Sequence, residues 1–277
     1  MTETSSSAKP IFEAAWATDI GRRRSKNQDF AGSFPDHALF IVADGMGGHR
    51  GGEIASQMAV EIFSKTFEAG IKNERRTHQE LLSVSALEAN RLILERSRFE
   101  SDLEGMGTTT TALHFCEGKA MIGHVGDSRC YLINKMGIWQ LTRDHSLVQE
   151  KLRAGLITRD QLKTDRMKNV ITRSVGFDLQ FGIDIYEYEP KIDDLFLMCS
   201  DGLTGQVEDL EIYNFAKEVF FDRDPQSPEA KQYALKDLIG KLIDTANERG
   251  GDDNITVLAT QYLGLKETHS KGLPHGK

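Results

Sequence analysis

Two stretches of the chain, about 150 residues apart, read alike: LFIVADGMGG over 39–48 and LFLMCSDGLTG over 195–205. Each is a short apolar run closed by Asp-Gly, so each predicts a buried strand whose sharp exit leaves one carboxylate beside exposed backbone. MIGHVGDS (121–128) is a weaker third copy with Asp127 at its end, and Asp253 stands at the entry to the run NITVLA (254–259). One Asp-Gly after a strand is an ordinary turn signal. Four acids at strand ends, two of them in near-identical copies, point instead to an oxygen-rich pocket for hard divalent cations. An EF-hand is excluded, because no Asp-x-Asp-x-Asp-Gly loop with a closing Glu occurs.

The remaining sequence narrows the class. The chain has 277 residues with a formal net charge of −8, which argues against a nucleic-acid footprint, although RRR (22–24) is a local basic patch. The N-terminus MTETSSSAKP lacks the apolar core of a signal peptide, and the longest apolar run, 38–43, is far too short to span a membrane. A cytoplasmic, monomeric protein without nucleic-acid or membrane partners is expected. Cys116, Cys130 and Cys199 each sit in an apolar run in no Cys-x-x-Cys spacing, the pattern of buried, reduced thiols. Residues 1–10 and 265–277 read as flexible tails, and nothing between them resembles a linker, so a single domain over 11–264 is expected.

Within it, strands are predicted at 12–18, 38–43, 108–115, 120–126, 130–134, 138–142, 183–189, 195–199 and 254–262, joined by turns short enough for antiparallel hairpins. One-sided apolar spacing predicts helices over 52–68, 78–98, 208–220 and 228–248, the last with Ser227 as N-cap, Pro228 in its first turn and Gly250 as its stop. Thr158 and Gln161 form a possible capping box. The class is therefore α+β, with helices packed on antiparallel sheets.

TDIGRRRSKNQD (18–29), DGMGGH (44–49), GDSR (126–129), CSDGL (199–203) and GGDDNIT (250–256) follow one another in that order, with TRDHSLV (142–148), AGLIT (154–158) and ITRSVG (171–176) between them. Any one of these is weakly specific. The ordered set resembles the metal-dependent serine/threonine protein phosphatases of type 2C, the PPM family, in particular their bacterial branch, over residues from about 15 to 262. The resemblance implies a four-layer α-β-β-α sandwich with two central antiparallel sheets, and a centre of two Mn²⁺ or Mg²⁺ ions, with a possible third, at one edge. By motif, Asp44 resembles the carboxylate that bridges both ions and Gly45 offers its carbonyl. Asp201 and Asp253 complete one ion, and Asp127 holds the third together with Asp201. Asp29 holds metal-bound waters, with Gln28 beside it, and Arg24 grips the substrate phosphate. Arg22 and Arg23 are read as surface charges.

The physics suits that assignment. A phosphomonoester dianion resists attack by water, and two cations about 3.5–4 Å apart lower the pKa of a water between them, orient it and offset charge on the transferring group. Arginine offers phosphate a planar two-pronged donor. No Cys-x5-Arg loop and no Gly-x4-Gly-Lys-Ser/Thr loop is present, which excludes a tyrosine-phosphatase mechanism and a P-loop ATPase. The sequence departs from the family twice. Gln28 stands where Glu is usual, and Met46 stands where eukaryotic relatives carry a histidine, so the leaving-group acid is either His49 or a metal-bound water. The implied substrates are phosphoserine and phosphothreonine proteins, with an opposing serine/threonine kinase as partner, and 143–175 matches the family's flap. The alternatives are a catalytically impaired binding module of the same fold, which the intact acid set and Arg24 disfavour, and a metal-dependent phosphodiesterase, which the net charge disfavours.

Overall fold

The computed structural model describes residues 9–47, 50–73, 75–162, 164–178 and 181–266. The chain runs β1 (Lys9–Asp19), β2 (Asp29–Phe34), β3 (Leu39–Met46), α1 (Gly51–Ile71), α2 (His78–Phe99), β4 (Gly107–Thr108), β5 (Thr110–Cys116), β6 (Lys119–Val125), β7 (Arg129–Asn134), β8 (Gly137–Gln140), α3 (Leu147–Arg153), β9 (Asp184–Tyr188), β10 (Leu195–Cys199), α4 (Asp201–Thr204), α5 (Asp209–Ala216), α6 (Pro228–Glu248) and β11 (Ile255–Lys266). One antiparallel sheet has the order β1-β11-β10-β7-β8, and the other β2-β3-β5-β6-β9 with β4 on β3.

The two apolar runs show why a sandwich forms. Leu39, Ile41 and Ala43 of β3 face α1 and α2, where they meet Ala55, Ala59, Phe63, Phe67, Leu82 and Ile93. Phe40 and Val42 point the other way, into the space between the sheets. In β10, Leu195, Leu197 and Cys199 pack under α5 and α6, while Phe196 and Met198 face inward. Both strands are apolar on both faces because both faces are covered. Three apolar layers lie between four layers of elements, α-β-β-α, as expected. All three cysteines are buried and free.

The expected elements form, with differences at their edges. Residues 9 and 10, expected in a tail, belong to β1, and 265 and 266 belong to β11. Lys9 pairs with Lys266 and Pro10 with Leu265 through backbone, which needs no apolar side chains. The other residues of the two expected tails, 1–8 and 267–277, lie outside the described residues. The predicted helix over 208–220 ends at Ala216 and continues as a wider π-type turn over Lys217–Asp222, which buries both Val219 and Phe220 against α6. The predicted strand over 108–115 is interrupted at Thr109, whose polar groups serve Asp44 instead. The short β2 has no apolar run to signal it.

Phe196 has no exposed surface and packs on Phe115 with ring centroids 5.3 Å apart, edge to face. Phe196→Ala leaves a cavity between the sheets that the rigid ladders cannot close, so a loss of about 3–5 kcal/mol is expected. Urea unfolding measures it, and a loss under about 1 kcal/mol contradicts a close-packed middle layer.

Candidate metal centre

Strand register brings the acids together. Asp29 opens β2 directly opposite Asp44 near the end of β3, in the second sheet. Asp127 lies in the turn between β6 and β7, where the chain passes from that sheet to the first. Asp201 follows β10 as the first residue of α4, and Asp253 precedes β11, so these two come from the first sheet. The carboxylates meet at one edge of the sandwich. Asp44 and Asp201 share a hydrogen bond, and Asp44 feels Asp29, Asp201, Asp127 and Asp253.

Like charges so placed oppose ionisation, and burial adds to the effect. Burial first, then Asp29, Asp201, Asp127 and Asp253, hold the Asp44 carboxyl well above the usual range. Burial pushes Asp29 up to about 7 despite hydrogen bonds from Ser200 and Thr256. Burial, then Asp201 and Asp144, push Asp127 up to about 8. Asp201 is raised by burial and by Asp253, with partial relief from its bond to Asp44 and from Arg24 and Arg129.

The surrounding backbone is clamped. The Asp44 N–H donates to Thr109 Oγ1 at 2.9 Å, and the Asp44 carbonyl accepts from the Thr109 N–H and the Thr108 hydroxyl, both at 2.8 Å. The glycines of both Asp-Gly pairs are required by contact, and the first pair corrects the expected sharp exit, since β3 runs on through Gly45 to Met46, whereas β10 ends at Cys199 and the chain turns into α4 at Asp201 as expected. A Cβ on Gly45 would run into the Gly52 carbonyl at the start of α1, and one on Gly202 would run into the Asn254 carbonyl. The Ser200 hydroxyl donates to Asp29 Oδ2 at 2.7 Å and accepts from the Thr256 N–H at 3.0 Å. Asn254 accepts from the Gln28 N–H at 2.8 Å and donates to the Ile20 and Lys26 carbonyls, both at 2.9 Å, so it fixes the loop that carries Arg24. Sequence reasoning missed Ser200 and Asn254, which lie inside the quoted motifs, and Thr108 and Thr109, which it placed only at the start of the strand over 108–115, as site residues.

Arg24 donates to Asp253 Oδ2 at 2.6 Å, and this bond, followed by Asp253, Asp201 and Asp44 as nearby charges, raises its pKa against burial. Arg23 approaches only the exposed Asp252, at 3.9 Å, and Arg22 is held by its backbone to Gly251, so of the three arginines Arg24 turns to the acids. Gln28 Nε2 donates to the Gly47 carbonyl at 3.4 Å, between the Asp44 strand and α1. His49 lies outside the described residues.

The flap is tied to the same backbone. Thr108 and Val175 exchange hydrogen bonds of 2.9 and 2.8 Å, and the His145 N–H donates to the Gly126 carbonyl at 2.8 Å while His145 Nδ1 accepts from the Gly126 N–H at 3.0 Å. The expected capping box forms at Thr158 and Gln161. An open cleft of about 680 Å³ runs from Asp127 and Asp201 between flap residues such as Arg159 and Lys168 and the start of α5 at Asp209 and Leu210.

The donor set fits a hard divalent cation. It consists of carboxylate and carbonyl oxygens, and among the described residues Asp29 Oδ1 and Asp127 Oδ1 are buried with no hydrogen-bond partner. The sequence profile described as Protein phosphatase 2C matches residues 21–240. This chain belongs to the protein phosphatase 2C family. It is 37% identical over 256 residues to the serine/threonine phosphatase stp of Listeria monocytogenes, covering 90% of this chain and 96% of that one. The serine/threonine phosphatase Stp1 of Staphylococcus aureus superposes with a TM-score of 0.83 at 30% identity, covering 95% of this chain and all (100%) of that one. The catalytic domain of the serine/threonine phosphatase PstP, solved in complex with 2 manganese ions, gives 0.77 at 28% identity, covering 92% of this chain and 100% of its own. Membership makes the protein a metal-dependent serine/threonine phosphatase.

Raised carboxyls set a pH signature for the protein held in chelator. The unfolded carboxyls ionise near 3.8 and the folded Asp29 and Asp127 only near 7 and 8, so their contribution to stability is full below about pH 4 and is lost as pH rises through 8. The buried His114 and His124, lowered by burial to about 3 and 4, run the opposite way below pH 6.5. Between pH 6.5 and 8 the Tm in chelator should therefore fall, and Asp127→Asn should shallow the slope, as should saturating Mn²⁺. A flat or rising Tm in chelator contradicts this electrostatic picture.

Proposed function

We propose that Asp44, the Gly45 carbonyl, Asp201 and Asp253 hold the two cations of this phosphatase, with Asp44 between them, and that Asp127 with Asp201 holds a third. The reaction is hydrolysis of phosphoserine and phosphothreonine on proteins, at a binuclear Mn²⁺ or Mg²⁺ centre. The observation that carries the assignment is the convergence of carboxylates from both sheets on one buried edge, where burial and then Asp29, Asp201, Asp127 and Asp253 hold the Asp44 carboxyl well above its usual range. When bound, the cations supply Lewis-acid charge at the phosphoryl oxygens and a water acidic enough to attack phosphorus in line.

The chain's own residues do the rest. Arg24, half-exposed and anchored by Asp253, presents its free guanidinium edge to phosphate oxygens and is the group that binds the dianion. Asp29, steadied by Ser200 and opposed to Asp44 across the strand pair, holds waters of the centre from behind, with Gln28 beside it. The clamp of Thr108 and Thr109 on the Asp44 backbone fixes the strand position from which its carboxylate projects. The cleft beneath the flap leads from the acids and suits the peptide on either side of the phosphorylated residue. The catalytic domain, expected over 11–264, takes in the paired strand ends at 9–10 and 265–266 as well, and is read as acting as a monomer in the cytoplasm on proteins phosphorylated by an opposing serine/threonine kinase. No helix among the described residues is long and apolar enough to cross a membrane.

Phosphate release from a phosphothreonine peptide in Mn²⁺ tests the roles. Asp44→Asn and Asp201→Asn should each lower kcat by about 100-fold or more, an effect of the size seen when electrostatic groups leave an active site. Arg24→Ala should raise KM several-fold and change kcat less. An unaltered KM in Arg24→Ala, together with a raised one in Arg22→Ala or Arg23→Ala, assigns the phosphate to the wrong arginine.

A further inference from the structure

A second group of metal-binding side chains lies outside the carboxylate centre. His114 and Cys116 sit two residues apart on the helix-facing side of β5, and His78 is the first residue of α2, which packs over that end of the sheet. One ligand atom from each of the three falls within 4.8 Å of the others. Leu39 pairs with His114 at one end of β3 and Asp44 lies five residues along it, so roughly 17 Å of strand separates this cluster from the carboxylates.

Hydrogen bonding fixes the imidazoles as ligands. His114 Nδ1 lies 3.3 Å from the Ala38 carbonyl, which can only accept, so Nδ1 carries the proton and Nε2 keeps its lone pair. His78 Nδ1 then donates to His114 Nε2 at 2.9 Å. A ring nitrogen bonded to a backbone carbonyl is the usual support of a metal-bound histidine. His114 is buried and neutral, with the edge of Phe67 against it at a centroid distance of 4.8 Å. Met121 closes the other flank, its Sδ 3.7 Å from Cys116 Sγ, while His78 is half-buried and leaves one side open.

We propose that His78, His114 and Cys116 form a Zn²⁺ site that ties the start of α2 to the end of the second sheet. Zn²⁺ takes imidazole nitrogens at about 2.0–2.1 Å and thiolate sulfur at about 2.3 Å in a tetrahedron. Two nitrogens then stand about 3.3 Å apart, so the pair at 2.9 Å needs only to open slightly. The fourth position faces the open side and takes water. Binding balances as follows: the Cys116 thiol proton leaves to solvent, the His78 proton moves from Nδ1 to Nε2, and His114 keeps its Nδ1 proton. One proton is released per cation at neutral pH. Burial, which holds the free thiol up to about 12, makes that release nearly complete.

The full-length protein in saturating Mg²⁺, which occupies the carboxylates, is titrated with Co²⁺ as a coloured probe. The expected result is one equivalent of Co²⁺ with near-ultraviolet thiolate-to-cobalt charge transfer and visible tetrahedral bands, one proton being released as each Co²⁺ binds and none when Zn²⁺ then displaces it. Cys116→Ser should abolish the charge transfer. His78→Ala, at a half-buried position away from the carboxylates, should weaken Co²⁺ binding at least tenfold while leaving Mg²⁺-supported phosphatase activity unchanged. Absence of charge transfer in the wild type, its persistence in Cys116→Ser, or an unchanged Co²⁺ affinity in His78→Ala overturns the proposal. The last result decides the matter even if Cys116→Ser fails to fold.

Discussion

Burial of a cluster of carboxylates, sharpened by their mutual repulsion, governs this structure. Asp29 and Asp44 are cross-strand partners, a pairing that costs stability between like charges, and Asp127, Asp201 and Asp253 close in from other turns. A loop could relax and let them part. The ends of two packed sheets cannot, because β3 and β10 are each paired on both sides and covered on both faces. The sandwich therefore holds the acids together at a cost that divalent cations bound there, as proposed, would offset.

The local devices around the acids serve that end. Gly45 and Gly202 allow α1 and the β11 entry to approach within a distance that excludes any side chain, which draws both Asp-Gly pairs inward. Ser200 and Asn254 link segments far apart in sequence, joining Asp29 to β10 and the Arg24 loop to β11. The flap hangs from Thr108 and Gly126, neighbours of Asp44 and Asp127. Two short sets of hydrogen bonds thus join residues 143–175 to the backbone beside the acids.

The apolar runs at 38–43 and 195–199 and the one-sided helices were legible because burial on a defined face writes a period into the sequence. The acids were legible because they recur in the same local context. β2 was not legible: its six residues, DFAGSF, carry no run, and they form a strand because β3 offers an unpaired edge. The first Asp-Gly was misread in one respect, since β3 does not end there and Gly45 answers to the Gly52 carbonyl of another element, a contact that no local pattern records. Thr109 was read as one more position of the strand over 108–115, whereas its hydroxyl is taken by Asp44 and Ser128. Such roles depend on tertiary neighbours, and a single sequence holds them only as polar residues beside a motif.

The central claim is that Asp44 lies between two cations. Electron paramagnetic resonance of the protein loaded with two equivalents of Mn²⁺ tests it without reference to turnover. The account predicts an exchange-coupled signal from a close Mn²⁺ pair in the wild type, replaced in Asp44→Asn by the six-line signal of isolated Mn²⁺ at lower occupancy. A coupled signal of full intensity in Asp44→Asn, or only isolated Mn²⁺ in the wild type, would contradict it.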